Sequence, residues 1–405
     1  LWLFFGVGFV ALGLEVVWFR FLSLVIRSTV YTYTLVLTVV LLGIVLGSAL
    51  AAWRLRRETR CARTFGALQI TSALIVIGLM SLPPSAWRAL GGELWICAVL
   101  MLVPAALSGA SFPLAVRLLA PDGATAALGL GLAAASNTLG GITGALVIGF
   151  VVLPLAGLQS ALWLTTLLGL LIGAAAWLGG EPRVARRPWQ APVTVLAAAA
   201  LWLGLAWLGR ARLPAAFLAE SGPLIAYREG FGANLAVIQQ PGFRRLEIDR
   251  WWQGESRPNH QTPAAHIPAL LHPGPESVLL VGLGTGQTAS RHLMHGIRRL
   301  DCVDIEPAIF GFVREHFAAD WMADPRVRLL TEDGRTYLRH SDARYDLIAL
   351  EVGQVFRPGV AYFYTRDAYE FARRRLNPDG LLVQCVPLPF FNETQFRAVV
   401  GSFLE

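Results

Sequence analysis

Between Val278 and Glu351 the chain sets out four features whose residue types and order can do chemistry together. The first is GLGTG (Gly282 to Gly286), three glycines at alternate positions directly after the apolar run VLLV. A strand that must turn sharply and admit a ligand to its backbone needs residues without a Cβ, and the following helix presents unpaired N–H groups to polar or anionic atoms. Asp304 stands 18 residues after Gly286, at the end of the next strand-like run, where a carboxylate can accept both hydroxyls of a ribose. Loop and acid together point to an adenosine-containing ligand and leave its reactive group open. Asp333 in TEDGR and Glu351 in YDLIALE end two further strand-like runs. Asp333 or its neighbouring backbone can meet the exocyclic amine of an adenine, and it can equally cap a helix. Glu351 can hold and deprotonate an amine at the carboxyl edge of a sheet, and a solvated rim carboxylate would read the same.

Those residues need a scaffold that brings strand ends to one edge. From Ser277 onward apolar runs alternate with helical patterns, which argues for a parallel sheet covered by helices on both faces. Strands are expected at Val278 to Val281, Leu300 to Asp304, Val327 to Thr331, Asp346 to Glu351 and Leu381 to Val386. Helices are expected from about Gln287, Pro307, Arg335, Thr365 and Thr394. Upstream, AVIQQPGFRRLEID (Ala236 to Asp249) holds two short strand-like stretches about a Pro-Gly turn, the pattern of a small antiparallel layer.

More than half of the chain precedes this scaffold, and it is of another kind. The sequence as a whole is 55% hydrophobic and only 15% charged, far from a soluble average. About seven stretches approach the roughly 20 apolar residues that cross a bilayer: Leu1 to Leu24, Tyr31 to Trp53, Phe65 to Leu82, Leu94 to Leu119, Ala126 to Leu155, Leu158 to Leu178 and Pro192 to Leu208. Before Gly209 stand 12 of the 34 basic residues and 5 of the 27 acids, leaving 22 of each for the remainder. The basic excess therefore belongs to the membrane-like half, where loop arginines set orientation, and it gives no reason to expect a nucleic-acid partner.

Arg54, Arg56, Arg57, Arg60 and Arg63 crowd the second connection, with Arg117 in the fourth and Arg183, Arg186 and Arg187 in the sixth. The positive-inside rule turns these connections and Leu1 to the cytoplasm, so seven crossings leave the second half outside it. Supply of an adenosylated cofactor argues for the cytoplasm instead, and both placements stand. Gly43 with Gly47, and Gly140 with Gly144, permit close helix contact, either within the bundle or in a dimer. Glu15 and Asn137 are costly in hydrocarbon and mark a transport path or an interhelical hydrogen bond. Every basic residue is an arginine, so a chain acting alone has no lysine amine for Schiff-base or pyridoxal chemistry. Cys61, Cys97, Cys302 and Cys385 form no CxxC pair or His cluster, and no metal site is indicated.

GLGTG, CVDIEP, DPRVRLLTEDGRTYL, YDLIALE and YFYTRDAYEFARRRLNPDGLLVQ, in this order behind RWWQGES, resemble the polyamine aminopropyltransferase (spermidine synthase) family. LGLEVVWFRFLSLVI and SNTLGGITGALVIGFVVLPLAGLQ are similar to its membrane-fused branch, with a half-transporter-like bundle. The resemblance covers nearly the whole chain. It implies transfer of an aminopropyl group from decarboxylated S-adenosylmethionine, or a related transfer from S-adenosylmethionine, to an amine. It implies that Gly282, Gly284 and Gly286 line the cofactor, Asp304 holds its ribose, Asp333 meets its adenine, Gln253 contacts the ligand, and Glu351 stands at the catalytic aspartate. It also exposes departures on the polyamine side: Thr285 replaces an aspartate of the glycine loop, NHQTPAAHIP (Asn259 to Pro268) replaces a Tyr-His-Glu element, and Gln354 replaces a second acid. The loop Gly353 to Phe363 is expected to be a lid, where Arg357 would repel a polyamine and favour an anionic substrate, or would be a solvated loop arginine.

The resulting expectation is a multi-span α-helical membrane bundle over 1–209, a linker and small antiparallel β layer over 210–256, and a Rossmann-like α/β domain of the methyltransferase type over 257–405, truncated at its C-terminal end. The protein is expected in a membrane, the bacterial inner membrane, with the lipid bilayer and membrane-complex subunits as partners. Three readings follow: a membrane aminopropyltransferase with an altered polyamine site, a non-catalytic complex subunit that docks through a degenerate domain, or a transporter of polyamines or metabolites.

Overall fold

In lipid or in a core, a long apolar run satisfies its backbone hydrogen bonds most simply as a helix, and the described apolar runs of the first half of the chain do so. The computed structural model describes residues 1–26, 30–55, 60–119, 126–179, 190–210, 213–357 and 359–404. Arg56, Arg57, Arg183, Arg186 and Arg187 of the expected cytoplasmic connections lie outside them. The chain forms two compact units, Leu1–Glu220 and Ser221–Glu405.

Among the described residues of the first unit six helices are long and apolar enough to cross a membrane: Trp2–Val25, Tyr31–Arg54, Cys61–Met80, Glu93–Leu119, Ala127–Gly179 and Gln190–Gly209. Ala127–Gly179, 53 residues long, is two helices run together across a break at Gly157 (φ 79°, ψ 174°), where one expected span gives way to the next between Leu155 and Leu158. Gly47 backs onto Ala106, and Gly140 onto Phe5, so closely that a Cβ would overlap the facing carbonyl. Both small-residue pairs are thereby used in packing inside the unit. The last long helix ends at Gly209, and packing carries the compact unit on to Glu220. Phe217, 1% exposed, meets the Phe21 ring edge-on at 5.3 Å, and Glu220 pairs with Arg88 at 3.1 Å.

The second unit opens with an antiparallel meander, β1 (Leu224–Glu229), β2 (Asn234–Gln240), β3 (Phe243–Ile248) and β4 (Trp251–Glu255), paired in sequence order. A parallel sheet follows, built from β5 (Ser277–Val281), β6 (Arg299–Asp304), β7 (Val327–Thr331), β8 (Tyr345–Leu350) and β9 (Leu376–Gln384) in the order β7-β6-β5-β8-β9. β9 starts earlier than Leu381 because the NPDG segment joins it, with Asp379 at φ 63°.

Alternate residues of the central strands enter two cores, as a sheet covered on both faces requires. Val278, Leu280, Cys302, Leu347 and Ala349 face one core; Leu279, Val281, Val303, Ile348 and Leu350 face the other. A polar knot is sunk beside them: Asp301, with no exposed surface, accepts the Tyr345 hydroxyl at 2.6 Å and the Tyr337 hydroxyl at 3.3 Å, and pairs with Arg299. The order of strands reverses at β5, so a crevice opens beyond its carboxyl end between β6 and β8.

Candidate active site

Strand register decides which side chains meet at that crevice. Val281 of β5 lies level with Val303 on one side and Leu350 on the other. One residue further, the Gly282 N–H donates to the Val303 carbonyl and the Glu351 N–H to the Val281 carbonyl, both at 2.9 Å. The glycine turn is thus clamped between the ends of β6 and β8. Gly282 has φ 90° and Gly284 φ 54°, backbone that strains any side chain, and a Cβ on Gly284 would stand 2.8 Å from the Gln253 carbonyl. Asp304 closes the other side of the turn. Its carboxylate accepts the Leu283 N–H and the Glu306 N–H, each at 2.9 Å. Burial holds this carboxyl above its usual range against the pull of those two donors.

Gln253, Gly282, Gly284, Asp304, Asp333 and Glu351 line one cavity of about 880 Å³, so six of the seven candidate residues come together. The seventh, Gly286, is not in its wall. It caps the helix Gln287–His292 at φ 80°, and a Cβ there would run into the Trp321 indole, so its glycine is required by packing. Asp333 lines the cavity and caps the helix Gly334–His340, accepting the Thr336 N–H at 2.8 Å. The Gln253 Nε2 is buried without a hydrogen-bond partner among the described residues, a donor left for something in the cavity. Burial alone pushes the Glu351 carboxyl up to about 7. No hydrogen bond from a described residue reaches that carboxylate, which leaves it available as a proton acceptor near neutral pH.

The expected lid, apart from residue 358, which lies outside the described residues, borders the cavity through Gly353, Gln354, Arg357, Gly359, Val360, Tyr362 and Phe363. Its polar groups are committed elsewhere. Arg357 pairs with the buried Asp249 at 2.8 Å and reaches the Gln354 Oε1 at 3.4 Å, so it is neither a free anion receptor nor a solvated arginine. The Gln354 Nε2 donates to the Trp252 carbonyl at 2.9 Å, and Phe356 lies against Trp251 with ring centroids 4.3 Å apart. The Tyr364 hydroxyl shares its proton between the Val352 and Cys385 carbonyls at 2.9 and 2.7 Å, tying the ends of β8 and β9 together. Thr285 is buried beneath the loop, within 3.4 Å of the Gln261 side chain.

Two wall residues escaped the sequence reading. Glu306 was legible only as part of CVDIEP; it takes the N–H groups of Phe231 at 3.2 Å, Gly232 at 3.0 Å and Ala308 at 3.1 Å, fixing the β1–β2 turn against the cavity. Gln261, 5% exposed, enters the wall from the helix Gln261–Leu271. Among the described residues no group of three or more His, Cys, Asp or Glu is placed to hold a metal.

Residues 260–402 match the spermine/spermidine synthase domain. Polyamine aminopropyltransferase 2 of Streptomyces coelicolor is 29% identical over 397 residues, covering 89% of this chain and 68% of that protein. The polyamine aminopropyltransferase of Nitrosomonas europaea is 28% identical over 47% of this chain, and polyamine aminopropyltransferase 2 of Pseudomonas aeruginosa 38% over 34%. The chain spans 60% and 46% of those two relatives' own length. The crystal structure of spermidine synthase from Thermotoga maritima aligns with 45% of this chain and 62% of its own at 19% identity, with a TM-score of 0.40, too partial a superposition to add to the family match. Behind its apolar helical unit, this chain is thus similar over residues 260–402 to the spermine/spermidine synthase domain.

Proposed function

We propose that this chain is a membrane-embedded transferase that moves an aminopropyl group from decarboxylated S-adenosylmethionine to an amine at the cavity beyond β5. The observation that carries the reading is Glu351: a half-buried, desolvated carboxylate, free of hydrogen bonds from the described residues, facing the same cavity as the glycine turn and Asp304. The cavity fits a nucleoside. Gly284 leaves room that a Cβ would fill, the Gln253 Nε2 supplies an unused donor, and Asp304 is fixed by two backbone bonds at the end of β6. Asp333 and the Gly334 backbone at the end of β7 form the adenine side.

The sulfonium substrate contributes an electrophilic propyl carbon and leaves as methylthioadenosine. A new N–C bond forms as the C–S bond breaks, the electron pair returns to sulfur, and the amine proton passes to the Glu351 carboxylate. The protein's share is alignment and proton acceptance, with the lid keeping water from the reacting groups. The helical unit is read as the anchor in the lipid bilayer, on the length and composition of its described apolar helices.

The test uses the full chain purified in detergent, supplied with decarboxylated S-adenosylmethionine and a panel of amines, with methylthioadenosine measured by chromatography. Product that depends on an added amine, and that falls at least about a hundredfold in Glu351→Gln, is the expected result. No binding of methylthioadenosine and no product with any amine would remove the reading.

A further inference from the structure

We infer that the acceptor amine taken by this cavity carries a single positive charge and an uncharged, hydrogen-bonding tail, so that a diamine is the poorer substrate. The inference rests on the transfer reading above and narrows it to a substrate class. Four carboxylates border the cavity, and three already accept backbone N–H groups: Asp304 those of Leu283 and Glu306, Glu306 those of Phe231, Gly232 and Ala308, and Asp333 that of Thr336. Those three follow β6 and β7, on one side of β5. Glu351 alone follows β8, on the other side, and accepts no hydrogen bond from the described residues.

An acceptor held at Glu351 with its tail toward the lid that follows β8 meets a wall that is neutral or already neutralised. Gln354 offers an amide whose nitrogen is held by the Trp252 carbonyl. Asp249, the acid nearest that wall in the ion-pair network, is consumed by Arg357 at 2.8 Å and by both the backbone and side-chain nitrogens of Asn234 at 2.9 Å. A second ammonium placed here would be desolvated beside a guanidinium with no carboxylate to receive it. A hydroxyl or amide on the tail can instead donate to the Gln354 Oε1, which Arg357 meets only at 3.4 Å.

The test is calorimetry on the full chain in detergent, first saturated with methylthioadenosine, then titrated with 4-amino-1-butanol or its isostere 1,4-diaminobutane. The aminoalcohol is expected to bind at least about tenfold more tightly. Gln354→Asp, which restores a carboxylate to the lid, is expected to improve diamine binding about tenfold and reverse the order. Methylthioadenosine binding by the variant reports that it is folded. Tighter binding of the diamine by the wild type, an unchanged order in a folded Gln354→Asp protein, or no response to either amine after methylthioadenosine has bound would each overturn the inference. Failure of methylthioadenosine itself to bind would instead remove the transfer reading on which the inference depends.

Discussion

Glu351 sets a conflict between stability and chemistry that can be measured. Its carboxyl moves from an ordinary 4.5 to about 7 through burial alone, so ionising it in place costs about 3 kcal/mol more than in the unfolded chain. The folded state holds this proton more tightly than the unfolded state does. The stabilisation is therefore complete below pH 4.5, declines as pH rises toward 7, and is lost above it. Proton acceptance needs the opposite form: about one-tenth of the molecules carry the carboxylate at pH 6 and about nine-tenths at pH 8. The transfer rate at saturating substrates, divided by that of Glu351→Gln, should rise about tenfold over this interval. The division removes the acceptor's own ionisation, which both proteins share. Stability should run the other way, with Glu351→Gln gaining up to about 3 kcal/mol on the wild type at pH 8 and little at pH 4.5, followed by denaturant titration of tryptophan fluorescence. A rate ratio flat from pH 6 to 8, or one that has already levelled by pH 5.5, would refute both the burial argument and the role of the residue.

Asp304→Asn replaces an acceptor of two N–H groups by an amide whose nitrogen must face one of them; calorimetry should show methylthioadenosine affinity lowered by about tenfold or more. Gly286→Ala separates packing from binding: the strained φ of 80° and the Trp321 indole should lower the thermal midpoint, while the folded fraction keeps its affinity for methylthioadenosine. A loss of affinity with an unchanged midpoint would return Gly286 to the binding loop. Asp301→Ala strips the counter-charge from Arg299 and the acceptor from Tyr345 and Tyr337, and should destabilise the second unit by about 3–5 kcal/mol in urea titration.

The strands around the site were legible because β5, β6 and β8 are short apolar runs ended by glycine or an acid, and because a parallel sheet buries both faces of such runs. Their neighbours were not. Only pairing of β8 with β5, rather than with β7, sets Glu351 against the glycine turn, and no local pattern encodes that choice. Gly286 shows the same limit at the scale of one residue: three alternate glycines read as a ligand loop, yet the third is required by an indole 35 positions downstream. Packing beyond the last long helix was hidden for a related reason, since Phe217 and Glu220 are held by side chains far back in sequence rather than by hydropathy.

Arg357 and Glu351 turn this into an argument about charge. As types in a sequence, an arginine in a lid signals an anionic substrate and a rim glutamate signals ordinary solvation. Asp249, 108 residues upstream, consumes the arginine, and desolvation of the crevice leaves the glutamate with its proton affinity raised. Formal charge therefore overstated the first residue and understated the second. What a charged side chain can do at this site depends on which of its bonds the fold has already filled, and among the carboxylates of the cavity wall only Glu351 accepts no hydrogen bond from the described residues.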